Sequence, residues 1–295
     1  RDIWDVKMLS VIIPAYNEEN AITATLEEVK KVFENACIKK YEIIVVNDSS
    51  TDNTASRAEA FGVRVLTHPH NMGYGKALKT GIENATFETI IITDADRTYP
   101  FNEIPHLLKD YEKGFDMVVG ARTGAHYKES FLKYPLAMIL KFLVEFTAGR
   151  KIPDINSGLR IFKKSTILPY LPTLCDTFSF TTSATLAYMM TSKFVHYRPI
   201  PYAKREGTTK VKLFRDSLRT LLYILQAMNY YNPLKVFMLF TGLCILFACM
   251  GFLSSLMFNL RSGFLLGIGG LLVALISMGF GLIADLLKQI MHKKN

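Results

Sequence analysis

Along the first 120 residues, short β-branched runs alternate with segments whose apolar positions recur at helical spacing. Residues 9–14 (LSVIIP), 41–46 (YEIIVV), 63–66, 89–93 (TIIIT) and 116–120 (DMVVG) predict buried strands. Between the first two, Ile22, Leu26, Val29 and Phe33 form a core-facing helical stripe. This βαβα rhythm predicts an α/β fold, a mostly parallel sheet covered by helices on both faces. Ligands of such sheets bind beyond the carboxyl ends of the strands, so the residues that follow each strand are the candidates for chemistry.

From residue 131 the pattern changes. Residues 131–147 are apolar around most of a helical circumference, with only Lys133, Lys141 and Glu145 charged and Pro135 near the start. A wholly buried helix fits this pattern, and one lying in a lipid headgroup region fits it better in a chain with spans. Farther on, Leu218, Leu221, Leu222 and Leu225 gather on one helical side and Lys212, Arg215, Asp216 and Arg219 on the other, the pattern of an interfacial helix. Two uncharged apolar runs follow, 23 residues at 236–258 and 22 at 263–284. At about 1.5 Å per residue, each can cross a hydrocarbon core roughly 30 Å thick as a helix. Only Asn259, Leu260, Arg261 and Ser262 join them, which predicts a tight antiparallel hairpin. Gly263, Gly267, Gly269, Gly270, Gly279 and Gly281 would let the second span pack closely on the first or on another subunit, so a homo-oligomer is an open expectation.

The expected organisation is therefore an α/β domain over 1–211, containing an interfacial helix at about 131–147. A juxtamembrane amphipathic helix at 212–232, two transmembrane helices within 233–288 and a tail at 289–295 complete it. The 295 residues are enough for one such domain plus the hairpin. A net charge of +9 fits an anionic partner, and acidic lipid or a phosphate-bearing substrate suits it better than nucleic acid, for which no motif is present. Lys204, Arg205, Lys210, Lys212, Arg215, Arg219 and Lys235 precede the hairpin; Lys288, Lys293 and Lys294 follow it; the connector carries only Arg261. The positive-inside rule then predicts an integral membrane protein of a plasma or ER-type membrane, with the large domain and both termini cytoplasmic. No apolar run near the N-terminus resembles a signal peptide. Cys37, Cys175, Cys244 and Cys249 show no CxxC spacing and read as reduced packing residues.

Candidate chemistry sits after the strands. Pro14, Tyr16 and Glu18 follow the first, where a proline and an aromatic ring can wall a flat base. Asp48 follows the second, where a carboxylate can accept hydrogen bonds from a base or ribose; helix capping by Ser50 or Thr51, with Asp52 in the first turn, suits the same stretch. Asp94-Ala95-Asp96 follows TIIIT. Two carboxylates one residue apart repel each other unless a cation joins them, and they are hard ligands suited to Mg²⁺ or Mn²⁺, with positions left for water and phosphate. In Asn71-Met72-Gly73-Tyr74-Gly75-Lys76, the glycines permit close backbone approach and Lys76 can neutralise a phosphate; a glycine-rich turn with a solvated lysine fits equally. The spacing matches neither a Walker loop nor a dinucleotide fingerprint. His68 and His70 read as loop residues.

Taken together, SVIIPAYNEE (10–19), VVNDSSTDNT (45–54), NMGYGKA, TDADRTYP (93–100), GAR (120–122), DINSGLRIF (154–162) and REGTTK (205–210) resemble glycosyltransferase family 2. With the apolar spans, the nearest likeness is to the polyprenyl-phosphate glycosyltransferases of the dolichyl-phosphate-mannose synthase type. The resemblance implies a GT-A fold, a nucleotide-sugar donor, Mg²⁺ or Mn²⁺, and a polyprenyl-phosphate acceptor. It implies Pro14, Tyr16, Glu18, Asp48, Lys76, Asp94 and Ala95 around the nucleotide, and Asp94 and Asp96 on the metal. Arg122, Lys133, Ser157, Arg205 and Lys210 would surround the acceptor phosphate. A phosphate acceptor is already an anion, so it needs orientation rather than a general base. Attack opposite the leaving group predicts inversion.

Three departures stand out. Many family members carry Asp-Gly-Ser where this chain has Asp48-Ser49-Ser50, and relatives often place a metal-binding Gln where Thr98 stands. Residues 179–187 (SFTTSATLA), where enzymes acting on hydroxyls often carry a base, hold no acid. A processive polysaccharide synthase is disfavoured, because the usual Gln-x-x-Arg-Trp segment is missing and Trp4 is the sole tryptophan. A catalytically silent membrane-anchored nucleotide-binding scaffold, or transfer to another membrane acceptor, remains the rival reading.

Overall fold

The computed structural model describes residues 8–124, 134–203 and 213–292. Lys133, Arg205 and Lys210 lie outside them. The chain forms two compact units, Arg1–Tyr223 and Ile224–Asn295.

In the first unit, β1 (Met8–Ala15), α1 (Ile22–Asn35), β2 (Lys40–Asn47), α2 (Thr54–Ala60), β3 (Arg64–Thr67), α3 (Tyr74–Asn84) and β4 (Thr89–Ile92) follow one another. Then come α4 (Ile104–Tyr111), β5 (Met117–Thr123), α5 (Tyr134–Ala148), β6 (Arg160–Lys163), the single turn α6 (Lys164–Ile167), α7 (Phe180–Met190) and β7 (Val195–Pro201). The seven strands form one sheet in the order β3-β2-β1-β4-β6-β5-β7. Pairs β1–β2, β1–β4, β2–β3 and β5–β7 are parallel, while β6 runs antiparallel to both β4 and β5. Val11, Ile12, Ile13, Ile44, Val45 and Val46 are all fully buried, as two covered sheet faces require. The α1 stripe of Ile22, Leu26, Val29 and Phe33 is buried as its spacing predicts.

The five strands expected from the sequence are present, with ends shifted by up to a few residues. The expectation omitted β6 and β7. β6 is four residues long and opens on Arg160; β7 (VHYRPIP) carries two prolines, which an edge strand tolerates. The antiparallel β6 has a positional consequence. Its beginning, not its end, lies beside the carboxyl ends of β4 and β5, since Arg160 pairs with Ile92 and with Val119. The loop before β6 therefore joins the loops after β1, β2, β4 and β5 at one sheet edge.

On α5, Val144 and Thr147 are buried, whereas Met138, Ile139 and Phe142 are exposed, an apolar outward face of the kind expected for this segment. α8 (Leu213–Tyr231) carries the boundary between the units within its length.

The second unit is dominated by α9 (Pro233–Phe258) and α10 (Arg261–His292), both long and apolar enough to cross a membrane. Their connector is shorter than expected: only Asn259, in the left-handed region at φ +52°, and Leu260. Leu256 is 84% exposed and Leu275 73%, an apolar surface that water does not favour. The inner faces touch through bare backbone. A Cβ on Gly251 would lie 2.8 Å from the Gly263 carbonyl oxygen, and one on Gly270 would lie 2.9 Å from Ala248 Cβ. Gly267 and Gly281 likewise meet Phe252 and Phe237, but Gly269 and Gly279 meet nothing within 4 Å. The Thr241 hydroxyl donates to Ser277 Oγ at 3.2 Å, a polar clasp between the helices. All four cysteines are free thiols, as their spacing predicts.

Candidate active site

The loops after β1 and β2 are laced together by hydrogen bonds. Asn17, at φ +54°, donates its backbone N–H to Ser50 Oγ (3.0 Å), and Glu18 donates its own to Thr54 Oγ1 (2.8 Å). In return Thr51 N–H reaches Asn17 Oδ1 at 2.8 Å. This fixes the backbone on which a buried Pro14 and half-buried Tyr16 and Glu18 sit. Ser49 adopts φ +62°. The loop thus keeps a left-handed turn without the residue that enters it most easily.

Asp48 is buried and surrounded by donors. Its Oδ1 accepts from Met72 N–H (2.8 Å) and contacts His68 Nδ1 (2.8 Å), and its Oδ2 accepts from Gly73 N–H (2.8 Å). The other ring nitrogen of His68 meets Thr80 Oγ1 at 3.0 Å. His68 is therefore a buried strut rather than a loop ornament. Much of the acceptor capacity assigned to a nucleoside is spent on holding the turn that precedes α3.

The glycines of that turn face another stretch of the chain. Gly73 has φ +101°, and a Cβ there would lie 2.6 Å from the Asp176 carbonyl oxygen. At Gly75 a Cβ would lie 2.7 Å from the Asp176 carbonyl carbon. The glycines admit the 175–177 segment, and Lys76 N–H donates to the Asp176 carbonyl at 3.0 Å. The buried Lys79, which sequence reasoning passed over, reaches Asp176 Oδ1 at 2.7 Å and the Leu174 carbonyl at 2.6 Å. The Lys76 side chain remains half-buried.

Past β4, Asp94 is half-buried and Asp96 buried. Tyr74 donates its hydroxyl to Asp94 Oδ1 at 2.8 Å. Burial first, and then the Asp94 charge, push the Tyr74 phenol well above its ordinary pKa, so it stays a protonated donor. Across the carboxylate stands Gly158, where a Cβ would lie 2.8 Å from both Asp94 oxygens. Asp96 Oδ1 accepts from the hydroxyl of Thr98 at 2.6 Å. Thr98 thus orients Asp96 by its own proton. Ala95 is buried, and its carbonyl accepts from Thr25 Oγ1 at 2.9 Å.

Among the described residues no group of three or more His, Cys, Asp and Glu forms a metal cage. Two carboxylates nevertheless fit Mg²⁺ or Mn²⁺, which take one or two from a protein and their remaining ligands from water and substrate phosphate.

At the end of β5, the Arg122 guanidinium forks onto Asp154, with Nε to Oδ2 at 2.7 Å and Nη2 to Oδ1 at 2.9 Å. Burial alone would raise the Asp154 carboxyl, but the Arg122 hydrogen bonds and charge outweigh it and hold the pKa below its usual value. Arg122 also lies over the Tyr202 ring, 5.3 Å from its centroid. Ser157 is fully buried and donates its hydroxyl to the Gly120 carbonyl at 2.5 Å, which anchors its loop to β5. Beneath that loop is Arg160, fully buried, bonded to the Ser157 carbonyl (2.8 Å), the Ile155 carbonyl (2.8 Å) and Thr185 Oγ1 (2.7 Å).

Tyr74, Asp154, Gly158 and Arg160 lie inside the motifs NMGYGKA and DINSGLRIF, but the sequence reading gave them no role of their own. A charged residue inside the otherwise apolar run LRIF was a usable signal for Arg160; nothing in spacing distinguishes Tyr74.

The family model for glycosyl transferase family 2 matches residues 10–168, more than half of the chain. The chain belongs to glycosyl transferase family 2. An undecaprenyl-phosphate 4-deoxy-4-formamido-L-arabinose transferase of Klebsiella pneumoniae (strain 342) is 30% identical over 254 residues, 80% of this chain and 71% of that protein. Its namesake in Serratia proteamaculans (strain 568) is 30% identical over 189 residues, 59% of this chain. That match spans only 57% of the Serratia protein's length. Among solved structures, glucosyl-3-phosphoglycerate synthase of Mycobacterium tuberculosis with uridine diphosphate aligns at TM-score 0.62 and 18% identity, over 75% of this chain and 80% of its own. The same enzyme with Mn²⁺, uridine diphosphate and glucosyl-3-phosphoglycerate aligns at TM-score 0.59 and 19% identity, with the same coverage. The shared architecture is GT-A-like, the fold and family expected from the motifs.

Proposed function

We propose that this family 2 chain is a membrane-bound inverting glycosyltransferase. It moves a sugar from a nucleoside-diphosphate donor to a polyprenyl phosphate at the cytoplasmic membrane face. The observation that carries the reading is the Asp94/Asp96 pair at a strand end, each carboxylate oriented by a hydroxyl. Two apolar helices of spanning length and relatives named for undecaprenyl phosphate support the lipid acceptor. GDP-mannose and UDP-glucose are the donors to test first, with a formamido-arabinose donor added because of the relatives' names.

In this reading Pro14, Tyr16 and Glu18 flank the nucleoside, on a loop that Asp48 and His68 stiffen. Asp94 and Asp96 hold a divalent cation, which when bound neutralises charge on the diphosphate leaving group. Arg122, its fork oriented by Asp154, and Ser157, on the loop beside it, line the acceptor side. Lys133, Arg205 and Lys210 supply positive charge for the acceptor phosphate. No residue need remove a proton from an acceptor that is already anionic, and the absence of an acid from residues 179–187 agrees with that.

The test is transfer of label from each donor to polyprenyl phosphate by the detergent-purified protein, with Mn²⁺, Mg²⁺ or EDTA, beside Asp96→Ala. Label in the organic phase only with metal and intact Asp96 is the expected result. Metal-dependent nucleotide binding without transfer points to another acceptor or to the silent nucleotide-binding scaffold, and loss of both overturns the reading.

A further inference from the structure

Asp94 is held from two sides by residues that the function above does not use. On one side is the Tyr74 hydroxyl, 2.8 Å from Oδ1. On the other is the bare α-carbon of Gly158, so close that a Cβ would lie 2.8 Å from each carboxylate oxygen. Tyr74 is itself immobilised. It is the first residue of α3, its ring stacks on Phe178 (centroids 5.7 Å apart, planes at 18°), and Gly73 and Gly75 on either side press against the 175–177 backbone. The Gly158 N–H is tied in turn to Tyr99 Oη at 2.6 Å.

We propose that Tyr74 is a positioning residue for metal binding, which with Gly158 fixes the plane of the Asp94 carboxylate before the cation and diphosphate arrive. The inference rests on the reading of Asp94 as a metal carboxylate. A carboxylate left to rotate must be ordered when the cation binds, and that cost weakens affinity; a hydroxyl donor on one oxygen shifts the ordering to folding. Asp96 has the same arrangement with Thr98, so each carboxylate accepts from a neighbouring hydroxyl. Partners of this kind typically change metal affinity by about 10–100-fold.

The test uses the full chain in detergent, Mn²⁺ as the metal, and UDP and GDP as separate probes. Free Mn²⁺ is followed by electron paramagnetic resonance, and metal-free nucleotide binding by calorimetry. Tyr74→Phe keeps the Phe178 stack and removes only the hydroxyl. It is expected to weaken Mn²⁺ binding in the presence of nucleotide by about 10-fold, leaving metal-free nucleotide affinity and Tm at the wild-type values. Gly158→Ala, with Tyr74 intact, is expected to weaken Mn²⁺ binding as well, because its methyl displaces the carboxylate. Asp94→Asn separates the two levels. If Asp94→Asn loses Mn²⁺ and Tyr74→Phe binds it like wild type, the positioning role is overturned and the reading of Asp94 stands. Wild-type Mn²⁺ affinity in Asp94→Asn overturns both. A Tyr74→Phe protein that loses metal-free nucleotide affinity and Tm together has a merely structural tyrosine, which also overturns the proposal.

Discussion

Asp48 and Asp94 occupy equivalent places, each just after a buried strand of the same sheet, and as sequence they invite the same reading. The structure separates them. Asp48 is 3% exposed and surrounded by two backbone N–H groups and a histidine, whereas Asp94 is half-buried with Tyr74 on one oxygen. Asp48 closes the turn before α3 through backbone donors, while Asp94 accepts from a side-chain hydroxyl beside a bare glycine. Position after a strand identifies the candidates, and the donors around each carboxylate distinguish their surroundings.

The largest effect that can break this comparison is expected at Asp94. Asp94→Asn should lower transfer by on the order of 10³-fold, with little change in thermal unfolding, measured as initial rate against Tm. An unfolded variant would place Asp94 in the same class as Asp48. The Arg122–Asp154 pair comes next. Arg122→Ala leaves a buried carboxylate without its partner and should cost about 3 kcal/mol of stability in denaturant titration.

The same pair sets an acid limb. Because the folded pKa of Asp154 is depressed, its contribution is present above the unfolded value, near 3.9, and is lost as pH falls through the folded value. Asp154→Asn should flatten the fall in Tm below about pH 4 that wild type shows. Asp48→Asn replaces one acceptor oxygen with an amide that faces donors, at an expected cost of about 2 kcal/mol by the same titration. The smallest effect sharpens the picture of the neighbouring turn. Ser49→Gly should stabilise by about 1 kcal/mol, since φ +62° strains serine and not glycine.

The parallel part of the sheet was legible because β-branched runs with helical stripes between them have only one economical packing. β1, β2 and β4, and with them Asp48, Asp94 and Asp96, follow from that rule. β6 obeys a different one. It enters the sheet in the opposite direction, so its useful residues precede the strand, and a search after strands passes over Asp154 and Gly158. Arg122 was picked out by its motif, but its fork onto Asp154 depends on a contact across 32 positions that no local pattern encodes. The glycines around Tyr74 were visible as points of close approach. That they admit the 175–177 backbone follows only from the folded path of the chain.

Arg160 has a consequence for genetics. It ties the carbonyls of Ile155 and Ser157 to Thr185 on α7, a helix that supplies no carboxylate to the site. A loss-of-activity screen should therefore recover substitutions at Thr185 in a protein that still accumulates in the membrane. A geneticist mapping them would trace them back through one buried guanidinium to the loop beside Asp94.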